Sequence, residues 1–502
     1  MLPGGIAVVV SVGRVNTAPQ RRTLRPASRG LLIVWLLWIG VGSTLGALAF
    51  YNPYEATNFN LVLGAFLAVA GLVPLSGWLA DRRPRVIPLL AMHGLFYAVC
   101  FGFAGLVRMP DRAIHPFNRV EDADYTRALL AAILSWLTVV LGYAVGKRMA
   151  VHIPRSLSML GSSESNRVAI FALYPLALLA SLWADSANQV SVLYITVAIR
   201  RLLFVWVVHA AWSDQVDQKA KFATLALLVP VELVLFVRLA DGVLYGLFLY
   251  GCLLAITFAV THRRVPIIAP AIILVLFVVL QPAKGTYRAA TWTTDGDELG
   301  PIEGISTFVA MAWDNVAAGD APLNAGDTLE VAYVRLNHLH ILANVMADTP
   351  GSRPYQYGAT LIPLLTRWIP RVIWPDKPRE DLGNRWAHEY GFLDPTDHST
   401  SYNLAWVVEM YINAGWLGVA TLSFLVGTLM GAVRRCLILS NTGSPYFALA
   451  LVSASAFFLP ESNISLQIGG LVASVVLGLL LLVLLRLSTA GVPATLRGVA
   501  DP

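Results

Sequence analysis

The side chains of this sequence that could do chemistry gather in two places. One is the polar stretch 282–413, where the pattern predicts a helix over 329–347. At about 100° per residue, Asn337, His340, Asn344 and Asp348 share a polar stripe, while Arg335 and His338 fall among Leu339, Leu342, Val345 and Met346. A guanidinium and an imidazole on an apolar face must find partners, because unpaired polar groups are expensive to bury. They either pair with each other's neighbours or present themselves to a polar substrate. Further on, Glu409 and Asn413 are i, i+4 neighbours on a partly apolar helix, where an acid marks a site unless a nearby Arg merely neutralises it. The second place is the apolar run 190–212, with Arg200 and Arg201 near its middle, followed by Glu232 and Arg238 in the next run. Arginine forks match phosphate oxygens by two-pronged hydrogen bonding, so these cations could clamp a phosphate; the plainer alternative is a shorter span whose arginines reach an interface.

Between the helix and Glu409 lies the most specific stretch. It runs from Tyr357-Gly358 through Trp368-Ile-Pro370-Arg371-Val-Ile-Trp374-Pro375-Asp376-Lys377-Pro378. Its three prolines forbid a regular helix, and its tryptophans and alternating charges suit a rigid loop at a membrane surface. A Ser/Thr-rich turn at 397–401 leads to Glu409-Met-Tyr411-Ile-Asn413-Ala-Gly415-Trp416-Leu-Gly418. The earlier part, 282–328, is rich in Gly, Asp, Thr and Ala and reads as flexible; its Asp295-Gly-Asp297 is best taken as a chance match to a metal-binding DxD. No HExxH-type metal motif is present.

The elements that must position these residues are membrane helices. Of 502 residues, 57% are hydrophobic and only 13% charged, against roughly 25% charged in a soluble domain. The net charge of +6 does not point to nucleic acid, because the basic residues punctuate apolar runs instead of clustering on one face. Three cysteines, Cys100, Cys252 and Cys436, lie in or at the ends of apolar segments and none in 282–413, which argues against a disulfide framework or a zinc site. A span needs about 20 apolar residues. Candidates are 31–50, 59–80, 86–106, 127–146, 167–184, 190–212, 222–240, 243–260, 265–281, 414–433, 446–460 and 466–486. With a cytoplasmic N-terminus, the basic clusters at Arg82/Arg83/Arg85, Lys147/Arg148/Arg155, Lys219/Lys221, Arg263/Arg264 and Arg434/Arg435 all fall inside. The expectation is therefore an all-α polytopic membrane protein of about 12 transmembrane helices. Its parts are a basic cytoplasmic tail 1–30, helices over 31–281, a large extracytoplasmic loop 282–413, helices over 414–486 and a cytoplasmic tail 487–502.

The order Arg335, Tyr357-Gly358, 369–378 (IPRVIWPDKP), a Ser/Thr-rich turn, then 409–418 (EMYINAGWLG) before a span resembles the bacterial O-antigen and repeat-unit polysaccharide polymerases. The likeness covers about 335–432. Val408 stands where that family's pattern often has Gly, and Ala414 where it often has Phe. The resemblance implies a membrane-embedded glycosyltransferase architecture of the GT-C type, shared with O-antigen ligases, in the bacterial plasma membrane with both termini cytoplasmic. It implies polymerisation of undecaprenyl-pyrophosphate-linked oligosaccharide units on the outer face, without cofactor or metal. Donor and acceptor are both lipid-linked glycans, and membrane lipids, a flippase and a chain-length regulator are the implied partners. In that reading His338, with His340 or Glu409 as alternatives, is the base for the acceptor hydroxyl. Arg200, Arg201, Arg238, Arg335, Arg371 and Lys377 hold pyrophosphate, and Tyr357, Asp376, Tyr411 and Asn413 support the site. The alternatives are a ligase with another acceptor, a phosphate-lipid-dependent transferase using Glu55, and, from a different class, a polysaccharide or lipid transporter or flippase.

Overall fold

The computed structural model describes residues 58–81, 86–107, 120–149, 172–187, 190–213, 245–266, 268–291, 301–317, 333–366, 381–397, 400–437 and 443–490. It also describes single positions among 34–42, 226–232 and 374–376. Among these residues there is no strand. The helices are α1 (Asn58–Ala80), α2 (Leu89–Tyr97), α3 (Asp122–Gly146), α4 (Tyr174–Ser186), α5 (Val190–Trp212), α6 (Tyr245–His262) and α7 (Ile268–Thr291). They continue with α8 (Pro301–Ala317), α9 (His338–Asp348), α10 (Ile362–Thr366), α11 (Leu382–Glu389), α12 (Trp406–Leu437), α13 (Ser444–Ser455) and α14 (Ile464–Ala490). Among the described residues, six segments are long and apolar enough to cross a membrane: Asn58–Ala80, Leu89–Leu106, Asp122–Gly146, Ile195–Trp212, Trp406–Leu437 and Ile464–Leu484.

Their outward faces suit lipid. Phe59, Val62, Phe66 and Val73 on α1, Leu130, Leu137 and Leu141 on α3, and Leu417, Leu425 and Leu429 on α12 are exposed, and each set recurs at helical spacing. A water-facing surface would put charge there, so these stripes are where acyl chains fit. Lipid gives helices no hydrophobic reason to associate, and close approach must do it instead. In α3 and α12, Gly142-x-x-x-Gly146 faces Gly427-x-x-x-Gly431. A Cβ on Gly142 would strike the Phe424 carbonyl, one on Gly146 the Thr428 carbonyl, and one on Gly427 the Val139 carbonyl. The pairing runs in parallel and brings Arg434 to Tyr143 at 2.6 Å, so Lys147, Arg148, Arg434 and Arg435 collect at one end of the bundle. By contrast, α1 and α2 run antiparallel, with Gly64 beside Gly102 and Gly71 beside Gly94. So do α5 and α13, where His209 bonds Ser444 at 2.9 Å.

Four sequence expectations change. The run 446–460 is not one spanning helix: α13 stops at Ser455, is buried on every side, and at twelve residues rises only about 18 Å. The region 282–328 is helical over much of its described length, because α7 continues past 281 to Thr291 and α8 packs back against it. The helix expected from 329 divides at Asn337, whose side chain accepts the His340 N–H and caps α9. Finally, α12 begins at Trp406 and is interrupted at Ala414 and Gly415. Gly415 has φ +58°, and a Cβ there would lie 2.5 Å from the Tyr355 hydroxyl, so this position needs glycine twice over.

Candidate functional site

The turn 456–463 between α13 and α14 organises the end of the bundle opposite Lys147 and Arg434. Trp406 N donates to the Pro460 carbonyl at 3.1 Å, and Ile464 N donates to Glu409 Oε2 at 2.6 Å. Gln467 Nε2 donates to the Leu459 carbonyl at 2.7 Å, and the His93 ring bonds the Phe457 carbonyl at 2.8 Å. Three distant stretches of sequence therefore meet around a single tight connection.

At its rim, Arg335 Nη2 donates to Glu461 Oε2 at 3.0 Å, and His338 Nε2 stands 3.7 Å from the same oxygen. The Arg335 side chain is 28% exposed, that of Glu461 13% and that of His338 2%. A cation thus opens outward, an acid sits behind it, and an imidazole lies sealed behind both. Burial would raise the Glu461 carboxyl, but Arg335 and His338 outweigh it and hold the group near 2. Burial lowers His338, and the neighbouring carboxylate does not fully reverse this, so the ring is neutral at physiological pH. Neither of its nitrogens makes a hydrogen bond among the described residues. Phe96 and Phe101 flank it, with ring centroids 5.5 and 6.4 Å away. Phe101 belongs to a π-helical turn, Ala98–Gly102, that interrupts the helix continuing from α2. Such turns are rare and tend to occur where a helix must aim a side chain.

His340 is occupied differently. Its Nδ1 meets the Tyr125 hydroxyl at 2.7 Å, its Nε2 meets Asn344 Nδ2 at 3.0 Å, and its backbone N–H goes to Asn337. Nδ1 ties α9 to α3 and Nε2 bonds one turn along α9, so both nitrogens are occupied, and burial lowers its pKa to about 4. The polar stripe of Asn337, His340 and Asn344 is therefore a helix-to-helix seam and not a substrate face. Glu409, fully buried, caps the first turn of α14 through Ile464. Asn413 accepts the Gly358 N–H at 2.8 Å and donates to Thr360 Oγ1 at 2.7 Å. The Gln356 and Tyr357 amides add bonds to the Ile412 and Asn413 carbonyls, and the Tyr411 hydroxyl reaches the Thr349 carbonyl at 3.3 Å. The Tyr357-Gly358 turn and the 409–415 stretch are thus one latch. Tyr357 itself is 81% exposed at its tip.

The intramembrane cations form a separate cluster. Arg200 Nε lies 2.9 Å from Glu232 Oε1, which also accepts the Tyr174 hydroxyl at 2.6 Å. Arg200, midway along α5, and Glu232 are each 3% exposed, so the first arginine has a carboxylate partner and neither snorkels nor stands free. Arg201 Nε is buried without a hydrogen bond among the described residues. Arg238, Arg371, Lys377, Glu55, Asp295 and Asp297 lie outside the described residues, while Asp376 is described and exposed. Sequence reasoning missed Glu461 and Tyr174. Glu461 carried a signal, as the lone acid in a connection between two apolar runs. Tyr174 carried none, because an aromatic in an apolar helix is ordinary. Among the described residues no three His, Cys, Asp or Glu side chains converge as a metal site would require.

A family model described as a domain of unknown function (DUF8712) matches residues 170–437, just over half of the chain. The chain belongs to that family. The DUF8712 region takes in the Arg200–Glu232 cluster, Arg335, His338 and the whole latch, but not Glu461 or α1–α3. No curated protein and no solved structure matches the chain.

Proposed function

We propose that this protein is a membrane-embedded glycosyltransferase that joins polyprenyl-pyrophosphate-linked oligosaccharide units into a longer glycan. The reading extends to the outer face of a bacterial plasma membrane, with the Lys147/Arg434 end of the bundle in the cytoplasm. The observation that carries it is the Arg335–Glu461–His338 group: a partly exposed guanidinium, a carboxylate and a neutral buried imidazole in line at one end of a helical bundle. The resemblance over 335–432 supports it, since its two halves dock on each other beside this group.

The chemistry then follows from the geometry. Arg335 neutralises phosphate oxygens at the rim, which lets lipid pyrophosphate depart with the electron pair of the sugar C–O bond. Glu461 faces His338 Nε2, which leaves Nδ1 to take the proton as the acceptor hydroxyl attacks the anomeric carbon. His340 has both ring nitrogens bonded, to Tyr125 and Asn344, whereas Glu409 spends Oε2 on the Ile464 N–H and keeps Oε1 without a hydrogen bond among the described residues, so Glu409 stays an alternative base in this reading. Purified protein supplied with a lipid-pyrophosphate-linked repeat unit tests the reading. A ladder of longer glycans supports polymerisation, transfer to a different acceptor supports a ligase, and no transfer to any lipid-linked or free acceptor refutes both.

One observation favours a second reading. A buried Arg–Glu pair with a tyrosine partner midway along a membrane-length helix is a common feature of transport pathways. A transporter or flippase would keep its function on His338→Ala, whereas a transferase would lose glycan transfer on it; Arg200→Ala strands Glu232 in either case and does not separate the two readings.

A further inference from the structure

We propose that α7 and α8 form a re-entrant hairpin, in which α8 lies in the bilayer and meets acyl chains and headgroups with its Val309/Trp313 face. The proposal is independent of the glycosyltransferase reading and starts from length. The uninterrupted apolar run of α7, 268–280, rises only about 20 Å at 1.5 Å per residue, against a hydrocarbon thickness of about 30 Å. Arg263 and Arg264 close the preceding helix and fix the end from which α7 starts. Completing the crossing takes about seven more residues, which brings Gln281, Lys284 and Tyr287 to membrane depth.

Tyr287 and its apolar neighbours are where α8 packs. Tyr287 and Phe308 meet edge to face at 5.5 Å, and a Cβ on Gly304 would touch the Tyr287 hydroxyl at 3.0 Å. Ala283, Tyr287, Phe308 and Ala312 are buried together, with Leu280 and Phe248 against them, so α8 runs back along α7 toward its apolar half. Gln281 is buried. A second helix laid over the short end of a span shields polar groups that acyl chains could not solvate.

The far side of α8 then has to face something. Val309 is 58% and Trp313 68% exposed, and at about 100° per residue the two lie side by side on one flank of the exposed arc. Glu303 and Asp314 share the other flank, about 110° round, with the exposed Ser306 and Ala310 between them. On α7, Ile272, Leu274, Val275 and Leu276 are exposed as well, a surface that suits lipid by composition. Apolar residues on one arc, acids segregated to its edge and a tryptophan at the end of the run are the pattern of a helix seated at the headgroup–acyl boundary.

Site-directed spin labelling in lipid bilayers tests this. In a background with Cys100, Cys252 and Cys436 replaced by Ala, labels are placed at Glu303→Cys, Val309→Cys, Trp313→Cys and Asp314→Cys. The expected result is a several-fold preference for dissolved oxygen over a water-soluble nickel complex at 309 and 313, reversed at 303 and 314. Equal access of the nickel complex at all four positions overturns the proposal. So does shielding of 309 and 313 from both reagents, because protein then covers the face. If Trp313→Cys lowers the yield, Val309→Cys against Glu303→Cys carries the same comparison.

Discussion

Breaking the Arg335–Glu461 pair measures whether the candidate site is electrostatically coupled or merely adjacent. The Glu461 carboxyl is near 2 in the folded protein against an ordinary 4.5. At about 1.4 kcal/mol per tenfold change in proton affinity, its charged form is stabilised by about 3 kcal/mol. Arg335 supplies most of this and is 28% exposed, so water screens part of it and about 2 kcal/mol is the coupling expected between the two side chains. Glu461→Gln leaves a guanidinium facing an amide, and Arg335→Met leaves a nearly buried carboxylate alone; each should destabilise by about 2–4 kcal/mol. The double variant should fall short of the summed losses by about 2 kcal/mol. Equilibrium unfolding in mixed micelles at pH 7 reads all four corners of the cycle. The sign with pH is also fixed. Because the folded value is depressed, the carboxylate's contribution is whole above about pH 5 and fades as pH falls toward 2, so the gap between wild type and Glu461→Gln should narrow over that window. Losses that add to within about 0.5 kcal/mol would show the two groups uncoupled and remove the electrostatic core of the proposed mechanism.

Other outcomes follow from the same geometry. If His338 is the base, its burial-lowered pKa keeps transfer rates flat from pH 8 to below 6.5, where an ordinary histidine would already be losing activity; a pH–rate profile checks this. Asn413→Ala removes the bonds to Gly358 and Thr360, should destabilise by about 1–3 kcal/mol, and should open the 355–361 turn to protease before the bundle unfolds. Gly142→Leu or Gly427→Leu drives a side chain into the facing carbonyl and must part α3 from α12, so folded yield in detergent should collapse, whereas Leu at the exposed Val145 should be silent. Arg200→Ala strands Glu232 inside the bundle and should destabilise by about 3–5 kcal/mol, with Glu232→Gln added on top recovering part of the loss.

What the sequence determined by itself is the class of solvent around this chain. Long apolar runs fix helices of membrane length, because nothing else satisfies a backbone in lipid, and α1, α3, α12 and α14 lie close to where hydropathy puts them. The chemistry-bearing stretches were legible too, as polar residues that interrupt an otherwise apolar text. Their employment was not. His338 and His340 are two residues apart in one helix, yet His340 bonds Tyr125 while His338 faces Glu461 beside two phenylalanine rings, and Tyr125 and Glu461 lie far away in the chain. Glu409 was legible as a buried acid, but that one of its oxygens caps the helix starting at Ile464 while the other keeps no hydrogen bond among the described residues was not. Hydropathy is a local property summed along the chain, whereas a hydrogen bond or ion pair needs two groups within a few ångströms. Only the packed tertiary structure sets that distance.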